Sequence, residues 1–167
     1  MKKLVSLCAA LAFVGGTLAF AHPHFNKTVT VKLPSGAEAT ITYNTTPSNE
    51  THAASAAVGA FVSPRGPQLK LSAEIKAGAV AVPAGEYTIG AIKISDKDWT
   101  MALYPGRVAR GEKPDMAKVI KLESLFLPAH GPAEHMLIDI TPGSGKMEGR
   151  AVLTLHFGTL FLAGALS

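Results

Sequence analysis

The sequence predicts an all-β fold, an antiparallel β-sandwich or barrel with at most one short helix. Two observations support this prediction. Short segments rich in β-branched residues alternate polar and apolar side chains, which is the period of a strand with one buried face. Turn-forming residues separate these segments at intervals typical of an antiparallel sheet rather than of alternating strands and helices.

The strands can be assigned in order along the chain. Residues 28–33 and 37–43 flank a Pro-Ser-Gly turn at 34–36 and predict a hairpin. Residues 69–76 alternate apolar and polar side chains without a break and predict one half-buried strand. The other predicted strands are residues 86–94, 99–104, 136–140, 151–157 and 159–162.

Two segments do not follow the strand pattern. Thr46 and Pro47 are typical of a helix N-cap followed by proline at the first helical position, and residues 53–61 are rich in alanine. Either a short helix or a long loop is therefore expected there. Residues 107–118 are polar, contain glycine and proline, and predict a surface loop.

The first 21 residues have the features of a secretion signal. Two lysines precede an apolar run over residues 4–20, and Ala19 and Ala21 supply the small residues that signal peptidase requires. The alternative is an uncleaved membrane anchor, but this run is at the short limit for a span. We therefore expect a signal peptide over residues 1–21, one β-sandwich domain over residues 22–167, and a periplasmic or secreted protein with no stable membrane anchor after cleavage.

Cleavage after residue 21 would leave 146 of the 167 residues, a length typical of a single domain. The only cysteine, Cys8, would be removed, so neither a disulfide nor thiolate chemistry is expected in the mature protein. Removal of two of the 16 basic residues leaves 14 against 12 acidic ones, a net charge of +2. Because no basic stripe is present either, nucleic acid is not an expected partner.

A family resemblance involves the middle and the end of the chain. Residues 82–89 (VPAGEYTI), followed by residues 98–103 (DWTMAL), resemble a pattern of an uncharacterised bacterial exported family, domain of unknown function 2911. Residues 136–140 and 150–158 are similar to that family's closing strands. The family's Arg-Thr-Gly-Ala-Asn segment is missing, and residues 64–67 lie near its expected place. The resemblance implies a small β-rich exported domain and no established activity.

Cleavage after Ala21 would make His22 the N-terminal residue. An N-terminal histidine offers a metal both its α-amine and its imidazole, and copper(II) is the first metal expected for such nitrogen ligands. Pro23 lacks the amide proton that a four-nitrogen site closed by His24 would need. What remains is a brace of the His22 amine and ring with a histidine from elsewhere. This start is similar to those of periplasmic copper-binding sandwich proteins and of copper polysaccharide monooxygenases.

The remaining ligand is not determined by sequence spacing. His130 lies in a loop flanked by proline and glycine, and His135 begins a strand on the same face as Asp139, which could orient it if the two were close. The candidate metal ligands are therefore His22, His24, His130 and His135. For the internal histidines the alternative is an ordinary surface or hydrogen-bonded role.

No catalytic residue is assigned from the sequence. The nucleophile motif G-x-S-x-G and the zinc motif H-E-x-x-H are absent. Trp99, Tyr87 and Tyr104 are expected in the core, with a sugar-stacking platform as the alternative. Three functions remain: a copper-binding protein for delivery or buffering, a non-catalytic β-sandwich without metal that is structural or binds a small ligand, and a copper-dependent oxidase acting on polysaccharide.

Overall fold

The computed structural model describes residues 24–109, 111–127 and 131–167, apart from two side chains in the short helix. The predicted signal peptide, its cleavage site, His22 and His130 lie outside these residues. The elements of the described chain are, in order, β1 (Asn26–Lys32), β2 (Glu38–Asn44), α1 (Glu50–Ala54), β3 (Phe61–Val62), β4 (Gln68–Leu71), β5 (Ile75–Ala77), β6 (Val80–Val82), β7 (Gly85–Ser95), β8 (Asp98–Pro105), β9 (Ile120–Lys121), β10 (Ser124–Phe126), β11 (Ala133–Pro142), β12 (Ala151–Gly158) and β13 (Leu160–Leu166).

These strands form two antiparallel sheets and one small ribbon. Sheet I has the order β1-β2-β4-β7-β8-β9, with β3 also paired to β7. Sheet II has the order β10-β13-β12-β11, and β5 pairs with β6. Strand β11 packs across β1 and β2, while β10 and β13 pack across β8. The predicted all-β antiparallel sandwich is therefore confirmed.

The core lies between the inner faces of the two sheets. Alternate residues of each long strand point inward, as the period of two requires. One continuous cluster of buried residues contains side chains from both sheets. Its fully buried large members include Ile41, Leu69, Ile89 and Met101 from sheet I and Ile138, Leu153 and Leu162 from sheet II.

The predicted hairpin between β1 and β2 is confirmed. Its register runs from Asn26 opposite Asn44 to Lys32 opposite Glu38. Gly36 has a φ of 88° and donates its N–H to the carbonyl of Leu33 at 2.9 Å, so the turn uses the conformational freedom of glycine.

The prediction of one strand over residues 69–76 is wrong. The chain bends between β4 and β5, and Ala73, which strict alternation would bury, is exposed. Ser72 ends the pairing with β2, because its N–H donates to Glu38 O at 2.9 Å and its hydroxyl accepts the Glu38 N–H at 2.8 Å. Strand β5 then pairs with β6. The main chains of Lys76 and Ser167 also exchange two hydrogen bonds of 2.7 and 2.9 Å.

A short helix is present, but it begins later than the predicted N-cap. Helix α1 contains only Glu50–Ala54, and Pro47 instead forms a bridge to β11. The buried side chain of Lys93 fixes the end of this helix from β7. Its Nζ donates to Ala54 O at 2.9 Å and to Ala56 O at 3.2 Å.

We expect ionisation of Tyr87 to lower the free energy of unfolding at alkaline pH. Burial raises the pKa of its phenol above the ordinary value of 10.0, because desolvation disfavours the phenolate. The stability that this group contributes is complete below pH 10 and falls as the pH rises through the folded-state pKa. The substitution Tyr87→Phe should therefore flatten the fall in unfolding free energy above pH 10.

Denaturant titrations of the native protein and of Tyr87→Phe, taken at increasing pH, test this expectation. The variant also loses the hydrogen bond from the Tyr87 hydroxyl to Pro83 O at 2.8 Å, which should lower stability by about 1 kcal/mol near neutral pH. The same alkaline slope in both proteins would contradict the assignment to Tyr87.

Candidate functional site

Residues 45–48, here named the crossover segment, follow β2 of sheet I and pair with the beginning of β11 in sheet II. The N–H of Met136 donates to Thr46 O at 2.8 Å, and the N–H of Ser48 donates to Glu134 O at 2.8 Å. The crossover segment therefore acts as an additional antiparallel strand beside the beginning of β11. It ties the two sheets together at one corner of the sandwich.

The crossover segment also forms a hydrogen bond to β12 of sheet II. The hydroxyl of Ser48 accepts the N–H of Gly158 at 2.8 Å, a contact between residues 110 positions apart. Gly158 is the last residue of β12 and lies opposite Ala133 in β11. The crossover segment is thus fixed by both β11 and β12.

His135 lies at this corner, opposite Pro47 in an isolated bridge. It is half-buried, and its Nε2 atom is buried. The sequence suggested that Asp139 orients His135. Asp139 is four residues further along the same strand, so the Cα atoms of the two residues are about 13 Å apart. Its carboxylate instead accepts the N–H of Ile140 at 2.8 Å. Asp139 therefore does not orient His135.

The first described residues lie on the other side of the crossover segment. The N–H of Phe25 donates to the hydroxyl of Thr45 at 2.9 Å, and the N–H of Thr45 donates to Phe25 O at 2.8 Å. The Nδ1 atom of His24 is 3.5 Å from Thr45 O. Thr45 is buried. Its contact with Phe25 could not be predicted, because the sequence around a threonine does not show whether its hydroxyl binds a distant main chain.

His24 and His135 are thus brought to the same corner, here named the histidine corner (residues 24–25, 45–48 and 131–136). The register of β1 and β2 ends with Asn26 opposite Asn44. The N–H of Thr46 then donates to Asn44 O at 2.8 Å, so the chain turns before Pro47 pairs with His135.

His156 fixes the loop that precedes β11. Its Nε2 lies 3.0 Å from the carbonyl oxygen of Gly131, and since a carbonyl only accepts, this nitrogen carries the proton. Its ring meets Phe161 edge-on with centroids 5.0 Å apart. This is the hydrogen-bonded role expected for an internal histidine. Gly131 directly follows His130 in the sequence, and His130 itself is outside the described residues.

Within the described parts of the chain, no three histidine, cysteine, aspartate or glutamate side chains are grouped closely enough to hold a metal ion. A site built on the predicted histidines therefore requires His22 or His130. The described residues supply to such a site the anchored main chain at His24 and the imidazole of His135.

Two of the three aromatic residues considered for sugar stacking belong to the core. Trp99 is 7% exposed and Tyr87 is 5% exposed, and their predicted core position is confirmed. Tyr104 is half-buried, lies outside the core cluster and packs against Phe61 with ring centroids 6.4 Å apart.

Comparisons of the chain with family models, with curated proteins and with solved structures found no match. The resemblance to domain of unknown function 2911 stays a prediction. No helix within the described residues has the length and apolar character needed to cross a membrane.

Proposed function

We propose that this protein is an exported, non-catalytic β-sandwich that binds copper with the N-terminus created by removal of its signal peptide. The observation that carries the proposal is the histidine corner. There residues 45–48, of which Thr45 and Thr46 are buried, are hydrogen-bonded to the chain that directly follows His22 and Pro23 and to the strand that contains His135.

The ligand chemistry favours copper(II) over other metals. The His22 amine, the His22 imidazole and one further imidazole form a set of nitrogen donors without thiolate, and such sets suit copper best among the available divalent ions. His135 is the preferred third donor, because Pro23 prevents His24 from closing a chelate through the intervening amides. His24 and His130 are the alternatives.

A copper(II) titration followed by electron paramagnetic resonance tests the proposal. The protein is exported and processed so that it begins at His22, with its mass confirmed by mass spectrometry. We expect one copper per chain and a spectrum with nitrogen ligands. Free copper at a hundred times the dissociation constant should stabilise the fold by about 2.7 kcal/mol.

A form acetylated at the His22 amine is the matched control, since it keeps every side chain and converts that amine into an amide. Copper binding should be lost in this form and in His22→Ala. His135→Ala should weaken binding more than His24→Ala, while His52→Ala, outside the proposed set, should leave it unchanged. Equal, weak binding in the processed and acetylated forms would contradict the proposal and leave a sandwich without a metal.

The same N-terminal brace could serve a copper-dependent oxidase acting on polysaccharide. The burial of Trp99 and Tyr87 favours binding over this alternative, because stacking on a sugar ring requires an exposed aromatic face. Oxidised sugar products that form only with copper and a reductant would reverse this preference.

A further inference from the structure

A cleft of about 1030 Å³ lies beside β3 and the start of β4 in sheet I. One wall is formed by residues 61–66 and Gln68, and the other by the loop after β8, which includes Arg107, Val108 and Pro114. It shares no lining residue with the histidine corner. Its volume is at the upper end of the range of small-molecule sites in proteins.

The first wall contains a strained turn. Pro64 and Arg65 occupy the centre of a turn in which the N–H of Gly66 donates to Ser63 O at 3.2 Å. Arg65 has a φ of 57°, a left-handed conformation that glycine normally adopts. Among the described residues it is the only one other than glycine with a positive φ. Strained main-chain conformations are concentrated at functional positions. Here the strained residue is an arginine that lines the cleft.

A chain of hydrogen bonds fixes the two walls relative to each other. The Nε2 of Gln68 donates to Gly66 O at 2.8 Å and to the hydroxyl of Thr88 at 3.1 Å. The Thr88 hydroxyl in turn donates to Gly106 O at 2.8 Å. Thr88 is fully buried, so this chain connects the turn of Arg65 with the residue before Arg107 through the interior of the sheet.

The cleft contains two arginines and one carboxylate among its described lining residues. Neither Arg65 nor Arg107 forms an ion pair with any carboxylate that the structure describes, although Glu112 also lines the cleft. Both arginines are exposed residues. The Oε1 atom of Gln68 is buried and has no donor among the described residues. A guanidinium presents a planar fork of N–H donors that matches the oxygens of carboxylate and phosphate.

We propose that this cleft binds a small organic anion, a carboxylate or phosphate monoester with an apolar body. The anionic oxygens would lie between Arg65 and Arg107. The apolar body would pack on Phe61, Val62 and Pro114. This site is independent of the proposed copper site, so the failure of either proposal leaves the other unaffected.

Isothermal titration calorimetry with benzoate, phenyl phosphate, inorganic phosphate and neutral benzamide tests the proposal. We expect benzoate or phenyl phosphate to bind with an affinity that falls as salt is added, and the stronger of the two identifies the anionic group. Benzamide, which has the same ring without the charge, should bind at least about tenfold more weakly. Equal binding of benzoate and benzamide, or binding of inorganic phosphate as tight as that of phenyl phosphate, would overturn the proposal, as would no binding at all.

The variants Arg65→Gly and Arg107→Gln should each weaken binding of the charged probe at least about tenfold, with Arg150→Gln as the control at an exposed arginine outside the cleft. Arg65→Gly removes the side chain and relieves the positive φ, so the melting temperature should be unchanged or raised. If Arg65→Gly weakens binding of the charged probe without lowering the melting temperature, Arg65 binds the ligand rather than stabilising the fold. Equal effects of Arg65→Gly and Arg150→Gln would refute the site.

Discussion

The substitution Lys93→Met is expected to lower the free energy of unfolding by about 2–3 kcal/mol. Methionine keeps most of the buried aliphatic stem but removes the ammonium group. The carbonyl oxygens of Ala54 and Ala56 would then lose a charged donor at 2.9 and 3.2 Å. Helix α1 ends at Ala54, where a cation also interacts favourably with the helix dipole. Chemical denaturation of both proteins measures the difference.

The ion pair of Lys93 with Asp96 provides the control. These side chains are 2.9 Å apart, but the side chain of Asp96 is 86% exposed, so solvent screens the interaction. Asp96→Asn should therefore lower stability by less than about 1 kcal/mol. If Asp96→Asn cost as much as Lys93→Met, the ion pair and not the two carbonyl contacts would explain the role of Lys93.

A second large effect is expected at Gly90, in the middle of β7. A Cβ atom at this position would lie 2.5 Å from Cζ of Phe61 and 2.6 Å from the carbonyl oxygen of Val62. The carbonyl belongs to the main chain of β3, so it moves only if β3 shifts from its pairing with β7. We therefore expect Gly90→Ala to lower the free energy of unfolding by about 1–3 kcal/mol.

Gly164→Ala is the matched control for Gly90→Ala. A Cβ at Gly164 would meet its nearest neighbour, Glu123 O, at 3.1 Å, which a small adjustment relieves. Its effect should stay within about 1 kcal/mol, since the loss of chain flexibility in the unfolded state offsets part of the crowding. Similar losses in the two variants would show that alanine is disfavoured for reasons other than the packing of Phe61.

Most of the long strands could be predicted from the sequence. Each buries one face, so polar and apolar residues alternate along it. The break in residues 69–76 could not be predicted in this way. The alternation of Leu69, Leu71 and Ile75 continues across the bend, although β4 and β5 belong to different sheets. Short strands such as β9 were missed, since two residues contain no period.

The candidate sites were harder to predict than the strands. Pro47 and His135 are brought together by pairing between segments 88 positions apart, whereas the local sequence around Pro47 indicated only a short helix or a long loop. Arg107 was predicted to lie in a surface loop, and no structure was predicted for Arg65. A Pro-Arg-Gly sequence predicts a turn, but it does not indicate that the central residue takes a positive φ, or that another arginine lines the same cleft.

The contacts of Ser48 with Gly158 and of Lys76 with Ser167 have a kinetic consequence. Both join segments that are far apart in the chain, and in each case the second partner lies near residue 167. Proteins dominated by such distant pairings fold slowly, roughly on the scale of milliseconds to seconds, because a long loop must close before any contact forms. For the exported protein that we propose, slow folding would favour passage through a secretion channel, which an extended chain can enter and a folded sandwich cannot.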